Sequence, residues 1–204
     1  MVNDKPVLGN VYDKYSTQNP VAKFLFQNFL QTVEELVQGI AADSVLEVGC
    51  GEGHLSQLLK NWLRPSRICA VDLVPDLFAS RHRQTSVDFL CQSAYQLGFR
   101  ETSFDLVVGA EVLEHLEDPR KALKEIQRVA GRYVLLSVPR EPLWRAMNLA
   151  RFAYWCHLGN TPGHLQHWSS AGFLNLVSAC FEVLEVRKPL PWTVLLAVKK
   201  EFGS

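Results

Sequence analysis

The residues of this chain that could do chemistry gather in a few short stretches. VLEVGCGEGHL sets Gly49, Gly51 and Gly53 on alternate positions after an apolar run, with Glu47 just ahead of them. Glycines there let backbone come close to a ligand, and a helix starting at that point offers unpaired N–H donors. The spacing is G-x-G-x-G, tighter at its third glycine than the G-x-G-x-x-G of dinucleotide sites, whose N–H groups face a pyrophosphate. A carboxylate at Glu47 is ill placed beside a diphosphate and suits an ammonium or sulfonium group. AVDLVPD then places Asp72 about twenty residues further on, where a carboxylate can accept from both hydroxyls of a ribose.

A second group follows in GAEVLEHLEDP, where Glu111, Glu114 and His115 are spaced to share one face of a helical turn. An imidazole near its reference pKa can take a proton from a hydroxyl or amine at neutral pH. GHLQHW adds His164, with His167 as its alternative. Blander roles stand beside these: Glu111 and Glu114 as caps or salt-bridge partners, His115 and His164 as histidines satisfied by structural hydrogen bonds, and His54 as the start of a helix. Further along, Arg140, Arg145 and Arg151 could meet an anion, while Trp144, Phe152, Tyr154 and Trp155 offer flat apolar walls. The same stretch also fits a helix with one face on the core, or one lying on a membrane surface.

These groups need a scaffold, and the apolar pattern supplies one. Asn19 as N-cap, Pro20 at the first helical position and Gly39 as the stop mark a helix with Leu25, Phe29, Val33, Leu36 and Ile40 on one face. Strands are expected over 44–48, 67–71, 87–91, 104–108 and 133–138, with helices over 54–63, 76–82 and 119–129 between them. Strands separated by helices imply a parallel sheet, because parallel neighbours need a crossover. Ligands then sit outside the carboxyl ends of the strands. After Pro139 the pattern changes: an aromatic-rich helix is expected over 142–158, stopped at Gly159, then a turn at Asn160-Thr161-Pro162-Gly163. A helix over 169–180 leads to two strands, 181–187 and 192–198, with no helix between them, so they should pair antiparallel. Tyr12 and Tyr15, ahead of the first helix, are candidates for a flap over the ligand.

The chain has 204 residues, enough for one sizeable core and short for two, so a single domain over 1–204 is expected. Basic and acidic residues balance at 21 each, which leaves no global field for a polyanion and argues against nucleic acid as a partner. The cysteines, Cys50, Cys69, Cys91, Cys156 and Cys180, show no paired spacing for zinc or redox work and read as small buried apolar residues in a reducing cytoplasm. No signal-peptide core and no run of about eighteen apolar residues is present, so a cytoplasmic protein without a transmembrane segment is expected.

Together, VLEVGCGEGHL, AVDLVPD, CQSAYQLGF and SFDLVVGAEVLEHLEDP resemble the successive motifs of the class I S-adenosylmethionine (SAM)-dependent methyltransferases, over residues 10–199. The resemblance implies an α/β, Rossmann-like, doubly wound seven-stranded sheet, mostly parallel with an antiparallel last strand. A helical cap would occupy 10–40 and a substrate-side insertion 140–168. Glu47, Gly49, Gly51 and Gly53 would surround the methionine part of SAM, Asp72 would bind the ribose, and Leu73 would cover the adenine. Ser93 and Ala94 stand where family members carry an aspartate and an alanine at the adenine edge, and Ala110 would line the amino-acid end. The E-x-x-E-H segment resembles two branches, ubiquinone-type O-methyltransferases and small-RNA 2′-O-methyltransferases, which implies a divalent-metal role for Glu111, Glu114, His115 and His164. The function expected is methyl transfer to a small-molecule or lipid-like acceptor, at a hydroxyl oxygen, with His115 or His164 as general base and S-adenosylhomocysteine (SAH) as product. A non-catalytic SAM-binding module and an NAD-binding oxidoreductase are the alternatives, and peripheral membrane contact goes with a lipid-like acceptor.

Overall fold

A computed structural model describes residues 15, 17–82, 86–150 and 157–200 of the chain. Tyr12, Arg151, Phe152, Tyr154, Trp155 and Cys156 lie outside the described residues. The apolar runs that predict strands form them: β1 (Ser44–Val48) and β2 (Arg67–Asp72) are buried along most of their length, as strands covered on both faces must be. Helix α2 (His54–Leu63) crosses between them, and α3 (Pro75–His82) leads from β2 to β3 (Asp88–Cys91). β4 (Phe104–Ala110), α4 (Pro119–Val129) and β5 (Ala130–Pro139) complete the parallel part. After α5 (Leu143–Ala150) and α6 (Ser170–Ser178), β6 (Phe181–Arg187) and β7 (Trp192–Lys199) close the sheet.

The seven strands lie in the order β3-β2-β1-β4-β5-β7-β6. β1 pairs in parallel with both β2 and β4, so the chain's direction of winding reverses at the β1/β4 seam. Crossovers leave the seam on opposite sides, which opens a crevice at its carboxyl end. β7 runs antiparallel to β5 and to β6, as expected of strands joined without a helix.

Each face of the sheet carries its own core. On one, α4 and α6 bring Leu123, Ile126, Phe173 and Val177 onto Leu46, Val48, Val107, Val134 and Leu136. On the other, α1 (Pro20–Gln38) and α2 bring Phe29, Val33, Leu55 and Leu59 onto Val45, Leu106, Leu135 and Leu196. The Asn19 side chain caps α1, accepting from Val21 N at 3.0 Å and Ala22 N at 3.1 Å. The buried face of α1 is Phe26, Phe29, Val33, Leu36 and Val37, with Leu25 and Ile40 at its margin rather than within it. Phe26 and Phe29 turn the face that way, because both rings pack on Trp192 of β7. Gly39 keeps a right-handed φ of −75°, so its conformational freedom is not what ends the helix.

The helix expected over 142–158 is described from Leu143 to Ala150; residues 151–156 lie outside the described ones, and the turn expected to stop it is present at Leu158 and Gly159. One further expectation is corrected. Cys50 and Cys69 are buried free thiols, whereas Cys91 is exposed and Cys180 half-buried. Cys91 ends β3, an edge strand that no neighbour covers on its outer side. Among the described residues, no helix is long and apolar enough to cross a membrane.

Candidate functional site

The glycine turn sits at the carboxyl end of β1, beside the seam. Gly49, Gly51 and Gly53 all take left-handed φ values, +72°, +53° and +74°. A Cβ on Gly49 would stand 2.4 Å from Val112 Cγ2, so the segment after β4 presses directly on the turn. A Cβ on Gly51 would meet nothing within 4 Å, so this stretch of backbone is open to an approaching ligand. Gly53 is the N-cap of α2 and no side chain caps the helix there, which leaves its positive end to interact with whatever enters.

Two carboxylates hold this turn. Val71 O accepts from Gly49 N and Cys50 N, and Asp72 Oδ2 accepts from Gly51 N at 2.8 Å. Asp72 Oδ1 accepts from Val74 N at 3.1 Å, so Asp72 ties the end of β2 to the glycines, with further lone pairs on both oxygens. Glu47 is buried beneath α2, where it accepts from the Ser56 hydroxyl. Burial pushes its carboxyl up to about 8; the Ser56 hydrogen bond opposes the shift, and the charge of Asp72 adds to it. Burial likewise drives the Cys50 thiol up, with Glu47 and Asp72 reinforcing the effect. Both shifts come first from burial, with the Asp72 charge adding to them, so a further negative charge is disfavoured here.

The remaining residues expected around the ligand line the same edge. Leu73 is 54% exposed just past β2, available to cover a flat ring. Ser93 is half-buried after β3, its hydroxyl accepting from Tyr95 N at 3.2 Å, and Ala94 packs on the core beside it. Ala110, half-buried, ends β4. Tyr15 stacks on His54 with ring centroids 4.1 Å apart and meets Phe26 edge-on, which places one of the two flap candidates over the start of α2.

Across the seam the second group is partly assembled. Leu113–His115 form a short 3-10 turn after β4. Glu114 is 1% exposed, and its carbonyl accepts from Leu165 N and Gln166 N, stitching this turn to the loop after α5. His115 Nδ1 lies 2.9 Å from Gly163 O. His164 is buried, edge-on to His115 at 5.0 Å between centroids and stacked with Trp144 at 5.9 Å. One ligand atom each from Glu114, His115 and His164 lie within 4.8 Å of one another.

Glu111 is not in that group. Its φ is +57°, so the chain leaves helical spacing at that residue, and its carboxylate accepts from the Trp192 indole N–H instead. His167, the alternative to His164, turns to Glu141, its Nδ1 3.5 Å from Oε1, and burial with the Arg145 charge pushes its pKa down. Arg145 also faces Glu141, at 3.8 Å, and the backbone N–H of Arg140 donates to Pro191 O. Sequence reasoning missed Trp192 and the Gly163 carbonyl. Both reach the site from distant parts of the chain, and neither residue type signals such a role locally.

Residues 46–134 match a family model described as a methyltransferase domain. Over 112 residues the chain is 35% identical to the ubiquinone biosynthesis O-methyltransferase of Xanthomonas oryzae pv. oryzae, covering 50% of this chain and 46% of that protein. Over 118 residues it is 25% identical to the malonyl-[acyl-carrier protein] O-methyltransferase of Bacillus anthracis, covering 56% of this chain and 42% of that one. The matched stretch thus spans less than half the length of either curated relative. Among solved structures, the fold is shared with the magnesium protoporphyrin IX methyltransferase of Synechocystis PCC 6803 with bound SAH, at a TM-score of 0.66 and 20% identity over 90% of this chain and 89% of that one. A Pyrococcus horikoshii OT3 protein superposes with a TM-score of 0.71 and 18% identity over 93% of this chain and 97% of that one.

Proposed function

We propose that the chain is a class I SAM-dependent methyltransferase, as the methyltransferase-domain match over residues 46–134 supports, and that it moves the SAM methyl group to a hydroxyl oxygen of a small-molecule or lipid-like acceptor. The observation that carries this is the meeting, at one seam, of an open glycine turn and a group of two imidazoles and a carboxylate. In this reading Gly49, Gly51 and Gly53 receive the methionine part of SAM over α2, and the sulfonium and ammonium charges favour the ionised form of Glu47, which otherwise keeps its proton up to about pH 8. Asp72 receives the ribose, Leu73 covers the adenine, Ser93 and Ala94 border it, and Ala110 lines the amino-acid end. That two of the relatives matched are named as O-methyltransferases supports oxygen as the atom methylated. Balanced charge supports an acceptor other than a polyanion.

His115 is the base in this proposal. A carbonyl can only accept, so its contact with Gly163 O puts the imidazole proton on Nδ1 and leaves the lone pair on Nε2. The acceptor hydroxyl yields its proton to that nitrogen while its oxygen bonds to the methyl carbon and the carbon–sulfur bond breaks. The products are a methyl ether, SAH and an imidazolium that then releases its proton. Most of the rate comes from alignment and exclusion of water, for which the buried His164 and the Trp144 ring form one wall.

The donor set of Glu114, His115 and His164, one carboxylate and two imidazoles, fits a divalent cation, with Glu111 outside it. Were such an ion bound, His115 Nε2 would be its ligand and no longer the base, and polarisation of the acceptor hydroxyl by the ion would favour its ionised form instead. The test is SAM turnover against pooled hydroxyl-bearing metabolites, with and without EDTA, read by product mass. A methylated small molecule is expected, and loss of activity with EDTA would support the ion. SAM binding without transfer would favour a non-catalytic SAM-binding module, and methylated RNA or protein as sole product would overturn the acceptor class.

A further inference from the structure

The loop that carries His164 is fastened to α5 through one hydroxyl. Thr161 Oγ1 accepts from Trp144 Nε1 at 2.9 Å and from Asn148 Nδ2 at 3.2 Å. Asn148 is 2% exposed, and its amide also donates to Gly159 O at 2.7 Å, so both of its N–H bonds go to this loop. Gly159 has a φ of +76°, and a Cβ there would stand 2.5 Å from Arg145 O, so the loop backbone packs straight onto α5. The Thr161 carbonyl then accepts from His164 N at 3.1 Å, closing the turn. Two contacts then bear on the histidines: the Trp144 ring of α5 stacks on His164, and Gly163 O of the turn meets His115 Nδ1.

We propose that Thr161 is a positioning residue for both histidines: its hydroxyl joins the two donors of α5 to the turn that places the His164 ring and the Gly163 carbonyl. This rests on the assignment of His115 and His164 to the acceptor side of the site. Without the hydroxyl, Trp144 and Asn148 lose their common acceptor, the turn drifts, and His115 Nδ1 loses the carbonyl that fixes its tautomer. Outer partners of this kind set which imidazole nitrogen carries the lone pair.

The test compares wild type with Thr161→Val, which keeps the shape without the hydroxyl, and Thr161→Ser, which keeps the hydroxyl. Imidazole 15N spectra read the tautomer, and titration with SAH reads the donor site. Wild type and Thr161→Ser should show His115 protonated on Nδ1. Thr161→Val should shift it toward the Nε2–H form and move the His164 ring signals, with SAH affinity unchanged. With the acceptor found by the mass screen, its kcat should fall roughly 10- to 100-fold at an unchanged KM for SAM. Wild-type imidazole signals in Thr161→Val, an equal loss of SAH affinity, or failure of Thr161→Ser to restore the spectrum would each overturn the proposal. Should Thr161→Val not fold, Trp144→Phe decides, since it removes one donor and keeps a ring: a shifted tautomer supports the hub, an unchanged one overturns it. SAH binding reports on the methyltransferase reading and the imidazole spectrum on the hub, so either can fail alone.

Discussion

Two glycines in one turn are under different constraints, and their substitution should separate fold from function. Gly49→Ala meets both a left-handed backbone and Val112, so it should lose roughly 3 kcal/mol in urea unfolding, part of which Val112→Ala restores. Gly51→Ala meets only the backbone penalty of about 1 kcal/mol, yet it places a methyl group in the open space where, in the proposed reading, the donor would approach. SAM affinity measured by calorimetry should fall at least about tenfold for Gly51→Ala, a loss of about 1.4 kcal/mol. Glu47 makes a prediction in pH. Its folded pKa stands at about 8, above its unfolded value, so between the ordinary carboxylate range and 8 the folded state holds a proton that the unfolded state has released. Stability therefore falls as pH rises through that window. Thermal melts should show wild type losing ground to Glu47→Gln from pH 5 to 8, while SAM affinity rises with pH in wild type and stays flat in the variant.

Among the elements, Asp105 fastens the start of β1 to the start of β4. Its Oδ2 accepts from Asp43 N, Ser44 N and the Ser44 hydroxyl, which together hold its carboxyl below the usual range. A depressed pKa contributes stability that is present above the unfolded value and lost as pH falls through the folded one. Asp105→Ala should cost about 1–2 kcal/mol at neutral pH, and the gap to wild type in urea midpoints should close between pH 5 and 2. How far the elements could be read from sequence follows from how local their causes are. Apolar runs ended by glycine or proline sufficed for β1 and β5, and Asn19 with Pro20 for the start of α1. The exact buried face of α1 depended on Trp192, far along the chain, and the left-handed turn at Glu111 on packing between β4 and β5. Helical spacing therefore grouped Glu111 with Glu114 and His115, although its carboxylate belongs to Trp192. The choice between His164 and His167 was likewise open in sequence, because Glu141, which takes His167, is brought near only by folding.

For the molecule as a whole, the proposed donor half and the proposed acceptor half come from different stretches of chain joined at the β1/β4 seam. The glycine and acid motifs are local, so the geometry of the left-handed turn and its tie to Asp72 was legible early. The acceptor half is gathered from Leu113–His115, the loop after α5 and β7, and only the topology brings these together. SAH at a hundredfold excess over its Kd should stabilise the protein by about 2.7 kcal/mol and raise its Tm by several degrees, whereas NAD should leave the melt unchanged. The contact between Gly49 and Val112 has a wider consequence. Val112 is the residue from which the Leu113–His115 turn departs, so the backbone of the glycine turn and that of the histidine turn bear on one another. The two halves of the proposed site therefore share a hinge of backbone, and whatever moves one should be felt, reciprocally, at the other.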